Sequence, residues 1–348
     1  GMHSTMFGPI KYAILPQALK PVELVGGNGL VEMGTQMAML VGMIAGNSLM
    51  LVVGVGPLLA SGATIAVAVA GYLASRRIPL APATAPELKF NWNPFSETAR
   101  VLAITHAGRP VFNAVLGISW FWFFGTVLIA QLPIYTRETL GGDGTVNTLV
   151  LTLFSIGTGI GALLCEKMSG RRVEIGLVPL GAFGLTAFGV DLYFARHGVA
   201  AVRGLDWLTF LRGAGSWRVA LDLTLIGVFA GFYVVPLFAF VQARAPREKL
   251  SRIIAGTNIL NALLIVAAAG FGLGLGALGM DASQIFLAAA LLNVLVAWYI
   301  FTLVPEFVMR FITWVLVSTL YRVRVDGSER IPAEGPVLLV CNHVSFMD

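Results

Sequence analysis

The sequence predicts an all-α polytopic membrane protein, followed by the first strands of a truncated α/β domain. Three observations favour this fold class: 57% of the 348 residues are hydrophobic, 12% are charged, and about eight apolar stretches have the length of a spanning helix. Soluble domains carry about 25% charged residues, and a membrane helix needs about 20 largely apolar residues. A water-soluble fold is therefore excluded for most of the chain.

The apolar stretches form a group of two and a group of six. They cover about residues 27–50, 55–75, 109–133, 146–165, 173–195, 219–242, 253–278 and 282–304. Between the two groups, residues 76–108 are polar and rich in proline, which is typical of a linker. We therefore expect residues 1–75 to end one helix bundle, residues 76–108 to be a cytoplasmic linker, and residues 109–304 to form a six-helix bundle.

Lysine and arginine predict the orientation of these helices, because cytoplasmic loops carry an excess of both. If the residues before the first stretch are cytoplasmic, most of the 23 Lys and Arg residues lie on the cytoplasmic side. The other side keeps Arg137, Arg196, Arg203, Arg212 and Arg218. The loop 196–218 also contains several large apolar residues and is expected to hold a short amphipathic piece. Everything after residue 305 is then predicted to be cytoplasmic.

The remaining composition excludes several kinds of site. The formal net charge of +5 lies in short loops between apolar stretches, so no nucleic-acid partner is expected. Cys165 and Cys341 are far apart and have no neighbouring histidine pair, so neither a metal site nor a disulfide is expected. The chain starts on Gly1 without a signal peptide and stops on Asp348, and we expect it to be an internal segment of a longer protein.

Polar residues inside the apolar stretches are the first candidates for function, because a charge there costs about 2.5–3.5 kcal/mol on insertion scales. Glu32 and Gln36 share one helix face. Glu32 either binds a lipid head group or a proton, or it simply lies near the membrane interface. Asp222, with Arg218 one turn before it, is expected to form a structural ion pair. On the third stretch, Trp120, Trp122 and Gln131 are candidates to line a cavity, and the alternative for the aromatic residues is that they face lipid or pack in the core.

Glycine-rich patterns occur in three of the stretches, at about residues 157–164, 227–232 and 270–279. Small residues let helix backbones approach closely, so close packing is the simple explanation. Hinging in a moving bundle is the alternative, and the two are compatible.

Two segments resemble a known transporter family. The loop that starts with Glu166 and Lys167 and ends with Arg171 and Arg172 resembles the loop signature of the major facilitator superfamily. Residues 8–19 (GPIKYAILPQAL), with Asn28, Glu32 and Gln36, and residues 232–261 resemble the bacterial lysophospholipid transporters of that superfamily. The resemblance implies a partial major facilitator fold whose eight helices correspond to helices five to twelve.

This resemblance also implies roles for individual residues. The transport candidates are Lys11, Asn28, Glu32, Gln36 and Gln131, and Lys11 would meet a phosphate unless its charge serves only to set topology. In the helix that contains Gln131 the free-standing transporters tend to carry an Arg, whereas this sequence has an apolar run and Gln131 and so departs from the family pattern. The charged loop residues Glu166, Lys167, Arg171 and Arg172 would latch one bundle to the other, or act only as topology signals.

The C-terminal stretch resembles a second family. Residues 305–320 are expected to be an interfacial connecting helix, and residues 321–348 resemble the opening of the glycerolipid acyltransferases, with a strand followed by NHVSFMD. Acyl transfer to a hydroxyl needs a base and a group that orients it. The resemblance implies that His343 is the base and Asp348 its orienting residue, while Asn342 and Ser345 shape the site.

Together the two resemblances imply a bacterial inner-membrane protein that flips lysophospholipid, above all lysophosphatidylethanolamine, and reacylates it in the cytoplasm. The acyl donor would be an acyl carrier protein or coenzyme A thioester, with no bound cofactor. The later acyltransferase motifs lie beyond Asp348, so these 348 residues alone are expected to lack acyl transfer. The alternatives are an exporter of a drug or metabolite with an attached acyltransferase, and helices that only anchor the enzyme.

Overall fold

The computed structural model describes residues 2–50, 52–78, 93–106, 108–168, 176–196 and 203–303, and a few isolated positions between 309 and 320. Arg171 and Arg172 lie outside the described residues. So do the predicted acyltransferase opening, with Asn342, His343, Ser345 and Asp348, and most of the predicted connecting helix. Predictions about these segments therefore stay predictions.

Twelve α-helices follow one another in the described parts of the chain. They are α1 (Met2–Ala13), α2 (Leu15–Ala18), α3 (Leu24–Met50), α4 (Gly56–Ser75), α5 (Pro94–His106), α6 (Arg109–Ile134), α7 (Gly144–Met168), α8 (Leu177–Ala195), α9 (Trp207–Arg212), α10 (Ser216–Arg244), α11 (Leu250–Ala277) and α12 (Ala282–Leu303). A π-helical turn, Tyr135–Thr139, extends α6.

Eight of these helices are long and apolar enough to cross a membrane, which confirms the predicted number. They are α3, α4, α6, α7, α8, α10, α11 and α12. We call the end at which α3, α6, α8 and α11 begin the lower end, and the opposite end the upper end. The sequence predicts that the lower end faces the cytoplasm.

The segment predicted to be a cytoplasmic linker, residues 76–108, contains helix α5, which the sequence analysis did not predict. Asn93 begins this helix, because its Oδ1 accepts the backbone N–H of Phe95 at 3.0 Å. Val101 and Thr105 are buried. Helix α5 packs closely on α11, because a Cβ added to Gly256 of α11 would lie 2.2 Å from the Thr105 hydroxyl oxygen. The helix is too short to span a membrane, and its apolar side is narrow, which hid it from the hydropathy pattern.

Glycines bring α7 and α10 into backbone contact, which confirms close packing as the explanation for two of the three glycine patterns. A Cβ on Gly161 would lie 2.0 Å from the Val228 carbonyl oxygen, and a Cβ on Gly227 would lie 2.3 Å from the Phe154 carbonyl oxygen. Each helix thus presents small residues to the other's backbone. The third pattern differs, since Gly270 of α11 has nothing within 4 Å of such a Cβ.

Candidate transport cavity

A polar cluster lies on the lower half of α3, where side chains of α1 hydrogen-bond to it. Glu32 is 5% exposed, and its carboxylate accepts hydrogen bonds from the Tyr12 hydroxyl at 3.3 Å and from the Gln36 amide at 3.1 Å. Lys11 donates to the Thr35 hydroxyl at 3.2 Å and lies over the Tyr12 ring. The structure therefore gathers three of the predicted transport residues, Lys11, Glu32 and Gln36, into one cluster.

Burial and charge shift the two titratable groups of α1 in this cluster. The pKa of Lys11 is lowered from its ordinary value of 10.5, because partial burial disfavours the ammonium ion more than nearby Glu32 favours it. The pKa of Tyr12 is raised, because burial and the Glu32 carboxylate both disfavour the phenolate. The cluster thus holds a partly desolvated cation next to a carboxylate, without an ion pair within 4 Å joining Lys11 to Glu32 in the described structure.

Below the cluster, the lower end is closed by contacts from α10. Asn28 of α3 and Gln242 of α10 exchange hydrogen bonds through their amides, and Gln242 also donates to the Tyr12 carbonyl oxygen at 3.0 Å. The Tyr12 ring stacks on Phe238 of α10 with a centroid distance of 4.2 Å. Asn28 and Gln242 are both buried, so the two helices leave no open passage between these side chains.

Above the cluster, an apolar cavity of about 470 Å³ lies between α3, α6 and α7. This volume falls within the range of ligand pockets, about 300–1,000 Å³. From α3 it is lined by Gln36, Met39 and Met43, from α6 by Trp122, Gly125 and Ile129, and from α7 by Leu151, Phe154 and Ser155, among others. Gln36 belongs to both the cavity wall and the polar cluster, so the apolar space ends on hydrogen-bonding groups.

The aromatic candidates of α6 have different surroundings. Trp122 lines the cavity, and its indole N–H reaches Asn261 of α11 at 3.2 Å when that amide is oriented to satisfy all of its neighbours. Trp120 instead donates to Asn293 of α12 at 2.7 Å. Gln131 is not among the cavity residues, since its amide lies against Gly272 of α11. The geometry therefore associates Trp122, and neither Trp120 nor Gln131, with the cavity.

The predicted latch is described only in its first half. Glu166 lies near the lower end of α7, and its carboxylate is so close to α3 that a Cβ on Gly26 would lie 2.6 Å from its Cδ. Lys167 is exposed in the last turn of α7. Glu166 thus contacts the helix of the other group, as a latch residue would, whereas Arg171 and Arg172 are outside the described residues.

Sequence reasoning missed several residues of this region, including Tyr12, Thr35, Gln242 and Phe238. Gln242 lies at the end of an apolar stretch and 214 positions from its partner Asn28, so no local pattern signals the pair. Tyr12 could have been found, because it follows the candidate Lys11 directly in a motif that was already singled out. The expected pair between Arg218 and Asp222 is wrong: the salt-bridge partner of Arg218 is Asp191 of α8.

Comparison with known proteins gives a family match over most of the chain. The profile of the Major Facilitator Superfamily matches residues 1–269. Lysophospholipid transporter LplT of Enterobacter sp. (strain 638) is 29% identical over 250 residues, which is 70% of this chain and 56% of the relative. The protein of the same name from Escherichia coli O1:K1 / APEC is 29% identical over 257 residues, which is 71% of this chain and 57% of the relative.

The chain thus spans a little over half the length of these curated relatives. No solved structure matches the chain significantly. The profile match includes α1 and seven of the eight spanning helices in most or all of their length, and with them the polar cluster and the cavity. The chain belongs to the Major Facilitator Superfamily.

Proposed function

We propose that this chain moves lysophospholipid across a bacterial inner membrane, in which it is a multi-pass protein. Two curated relatives that it resembles along about 70% of its length are named lysophospholipid transporters. The shared family supports membrane transport as the class of function, and the cavity supports an amphiphile as the class of substrate.

One observation carries this proposal: Gln36 lines the apolar cavity and also donates to Glu32 of the polar cluster. A lysophospholipid has a single acyl chain and a charged head group, so it needs an apolar space that ends on polar groups. The methionines, aromatic rings and aliphatic residues of the cavity would contact the acyl chain. Gln36 would mark the boundary at which the head group begins.

The polar cluster has the charges that a zwitterionic head group requires. The Lys11 ammonium would attract the phosphate, and its partial burial strengthens that attraction because the local dielectric is lower than in water. The Glu32 carboxylate would attract the ammonium of an ethanolamine head group. Both groups now bond to neighbouring side chains, Thr35 for Lys11 and Tyr12 and Gln36 for Glu32, and the head group would replace some of these bonds.

We further propose that a cytoplasmic acyltransferase domain, beginning at about residue 321, reacylates the transported lipid. The sequence motif NHVSFMD supports this proposal, with His343 as the base, Asp348 as its orienting residue and Asn342 and Ser345 shaping the site. The acyl donor would be an acyl carrier protein or coenzyme A thioester. The predicted cytoplasmic position of the lower end would bring the lipid acceptor to this domain.

Flux of fluorescent lysophosphatidylethanolamine into proteoliposomes that contain the protein tests the transport proposal. We expect Glu32→Gln and Gln36→Ala to reduce this flux at least tenfold, while Gln284→Ala, a matched amide change in the first turn of α12, leaves it unchanged. Equal flux of an amphiphile without a phosphate head group would favour the exporter reading. Flux equal to that of empty liposomes would overturn the proposal.

Acylation of the same lipid by the intact protein tests the second proposal. We expect His343→Ala to abolish acyl transfer and to leave flux unchanged, and Glu32→Gln to reduce flux without changing acylation of lysolipid supplied in detergent. Full acyl transfer by His343→Ala would show that the base is another residue. Unchanged lysolipid uptake and recycling after Glu32→Gln would favour helices that only anchor the enzyme.

A further inference from the structure

Near the upper end, Asp222 is a buried carboxyl group inside the spanning helix α10. It is 1% exposed, and its Oδ2 has no hydrogen-bond partner. A lone charge at such a position is costly, and ionisable residues within spanning helices usually mark a functional site. Asp222 therefore requires an explanation that neither the cavity nor the lower-end contacts supply.

The nearest cation is already held by another carboxylate. Arg218 donates through Nε to Asp191 Oδ2 at 3.0 Å and through Nη2 to Asp191 Oδ1, a two-point pair that joins α10 to α8. Both of these side chains are more than a third exposed, whereas Asp222 lies one turn deeper. The hydrogen bonds of this guanidinium thus go to the outer carboxyl group, Asp191, and not to Asp222.

A buried carboxyl group whose charge is not compensated by a cation or by hydrogen bonds binds a proton, because a lone buried charge is costly. Asp191 has its charge satisfied by Arg218 and is partly exposed, whereas Asp222 is buried and has an unpartnered oxygen. The proton therefore belongs on Asp222.

No other described group compensates a negative charge on Asp222. In the π-helical turn, the Tyr135 hydroxyl donates to the Leu192 carbonyl oxygen and not to Asp222. Arg196 is paired with Asp281. Helix α7 has no titratable residue between positions 144 and 164, and no ion pair joins Arg212 of α9 to Asp222 in the described part of the chain.

We propose that Asp222 is a proton-binding site of this transporter, and that its proton stabilises the conformation described here, which is closed at the lower end. The proposal uses membership of the Major Facilitator Superfamily and is independent of which substrate is moved. In this conformation, loss of the proton would leave a buried charge beside the Asp191 carboxylate. A conformation that hydrates Asp222 removes this penalty, so proton release favours it.

Helix α10 provides a physical connection between the proton site and the closed end. Asp222 lies near its upper end, and the same helix carries Phe238 and Gln242, which contact α1 and α3 at the lower end. Pro236 lies between them, and a proline inside a helix removes a backbone hydrogen bond and is a common site of bending. A movement of the upper half of α10 on proton loss would thus act on the closing contacts.

Pulsed EPR distances between spin labels at the lower end test the proposal on the full chain in proteoliposomes. The labels go on Lys20→Cys and Lys249→Cys, which are exposed and lie before α3 and α11, in a background of Cys165→Ser and Cys341→Ser. We expect the ratio of closed to open populations to fall about tenfold or more as the pH rises from about 5 to about 9. In Asp222→Asn, which is always neutral, the closed population should stay high at every pH.

Asp206→Asn is the matched control, because Asp206 caps the exposed end of α9 and asparagine caps equally well; it should keep the pH dependence. Asp222→Glu should keep the dependence with a shifted midpoint, which tests the site if the Asn variant does not fold. Three results would overturn the proposal. The first is a pH dependence in Asp222→Asn equal to that of the parent protein, and the second is an unshifted midpoint in Asp222→Glu. The third is a ratio of closed to open populations in the parent protein that does not change with pH. None of these outcomes depends on lysophospholipid flux, so the transport proposal stands or falls separately.

Discussion

Asn28 and Gln242 exchange amide hydrogen bonds across the boundary between the two groups of helices, with the Gln242 amide 3.0 Å from Asn28 Oδ1. Both side chains are buried, and Asn28 also donates to the Leu24 carbonyl oxygen at 2.8 Å. A buried amide pair is stabilising only while both partners are present, because the remaining group would be buried without a hydrogen bond. Closure of the lower end is therefore stabilised by this pair only while both amides are present.

Replacing either member of the pair by alanine should shift the protein away from the closed conformation. We expect Asn28→Ala or Gln242→Ala to destabilise closure by about 1–3 kcal/mol, since each leaves the other amide unsatisfied. The lower-end spin labels report the closed fraction, and the double variant should cost less than the sum of the single ones. Thr148→Ala, whose hydroxyl donates to Gly144 in its own helix, is the control; single-variant effects no larger than its effect would contradict the prediction.

The backbone contact between α7 and α10 should not tolerate even one added methyl group. Gly161→Ala would place Cβ about 2.0 Å from the Val228 carbonyl oxygen, and the helices would have to separate. We expect a loss of about 1–3 kcal/mol, measured as a lower Tm in detergent. Gly270→Ala on α11, where a Cβ meets open space, is the matched control and should leave the Tm unchanged or raise it. Equal Tm values for both variants would be inconsistent with this packing.

Lys11 should make stability rise with pH in the alkaline range. Its pKa is lowered in the folded protein, so between that lowered value and 10.5 the unfolded chain binds more protons than the folded one. Stability contributed by this residue therefore increases across that window and is constant above 10.5. Tyr12 acts in the opposite direction above its ordinary value of 10.0, because its raised pKa adds stability that is lost as the pH rises.

The difference between the parent protein and Lys11→Met isolates the contribution of Lys11. We expect the parent to gain Tm relative to Lys11→Met as the pH rises from about 8 to about 10, measured by thermal unfolding in detergent. A difference that stays constant, or that changes in the other direction, would show that the ammonium is not desolvated in the fold.

Filling the cavity should discriminate between acyl chains of different length. Gly125 lines the cavity, and a Cβ added there meets nothing within 4 Å, so Gly125→Leu should be accommodated by the fold while occupying the space. We expect flux of long-chain lysophospholipid to fall at least tenfold and that of a short-chain analogue to fall much less. Gly71→Leu on α4, where an added Cβ also meets nothing within 4 Å, is the control and should leave the flux of both lipids unchanged. Equal losses of flux for both chain lengths in Gly125→Leu would show that the cavity does not bind the acyl chain.

Hydropathy alone predicted the eight spanning helices and the short piece between α8 and α10, which is α9. Long apolar stretches are a strong signal, because a membrane helix must satisfy its backbone hydrogen bonds internally and bury about 20 apolar residues in lipid. Helix α5 was missed because it is short and only one side of it is apolar. The π-helical turn after α6 was missed as well, since no composition signals an extra residue in a helical turn.

Their polar character within an apolar stretch identified Glu32 and Gln36 as candidates, because polar groups are costly in lipid wherever they occur. The resemblance to the transporter family added Lys11 and Asn28. Which of them share a site was decided by tertiary packing, which brings Tyr12 onto Glu32 and Gln242 onto Asn28 and leaves Gln131 against α11. Partners such as Asn28 and Gln242, 214 residues apart, are chosen by how helices cross. In the same way, sequence proximity suggested that Arg218 pairs with Asp222, but the packing of α8 on α10 pairs Arg218 with Asp191 and leaves Asp222 Oδ2 without a hydrogen-bond partner.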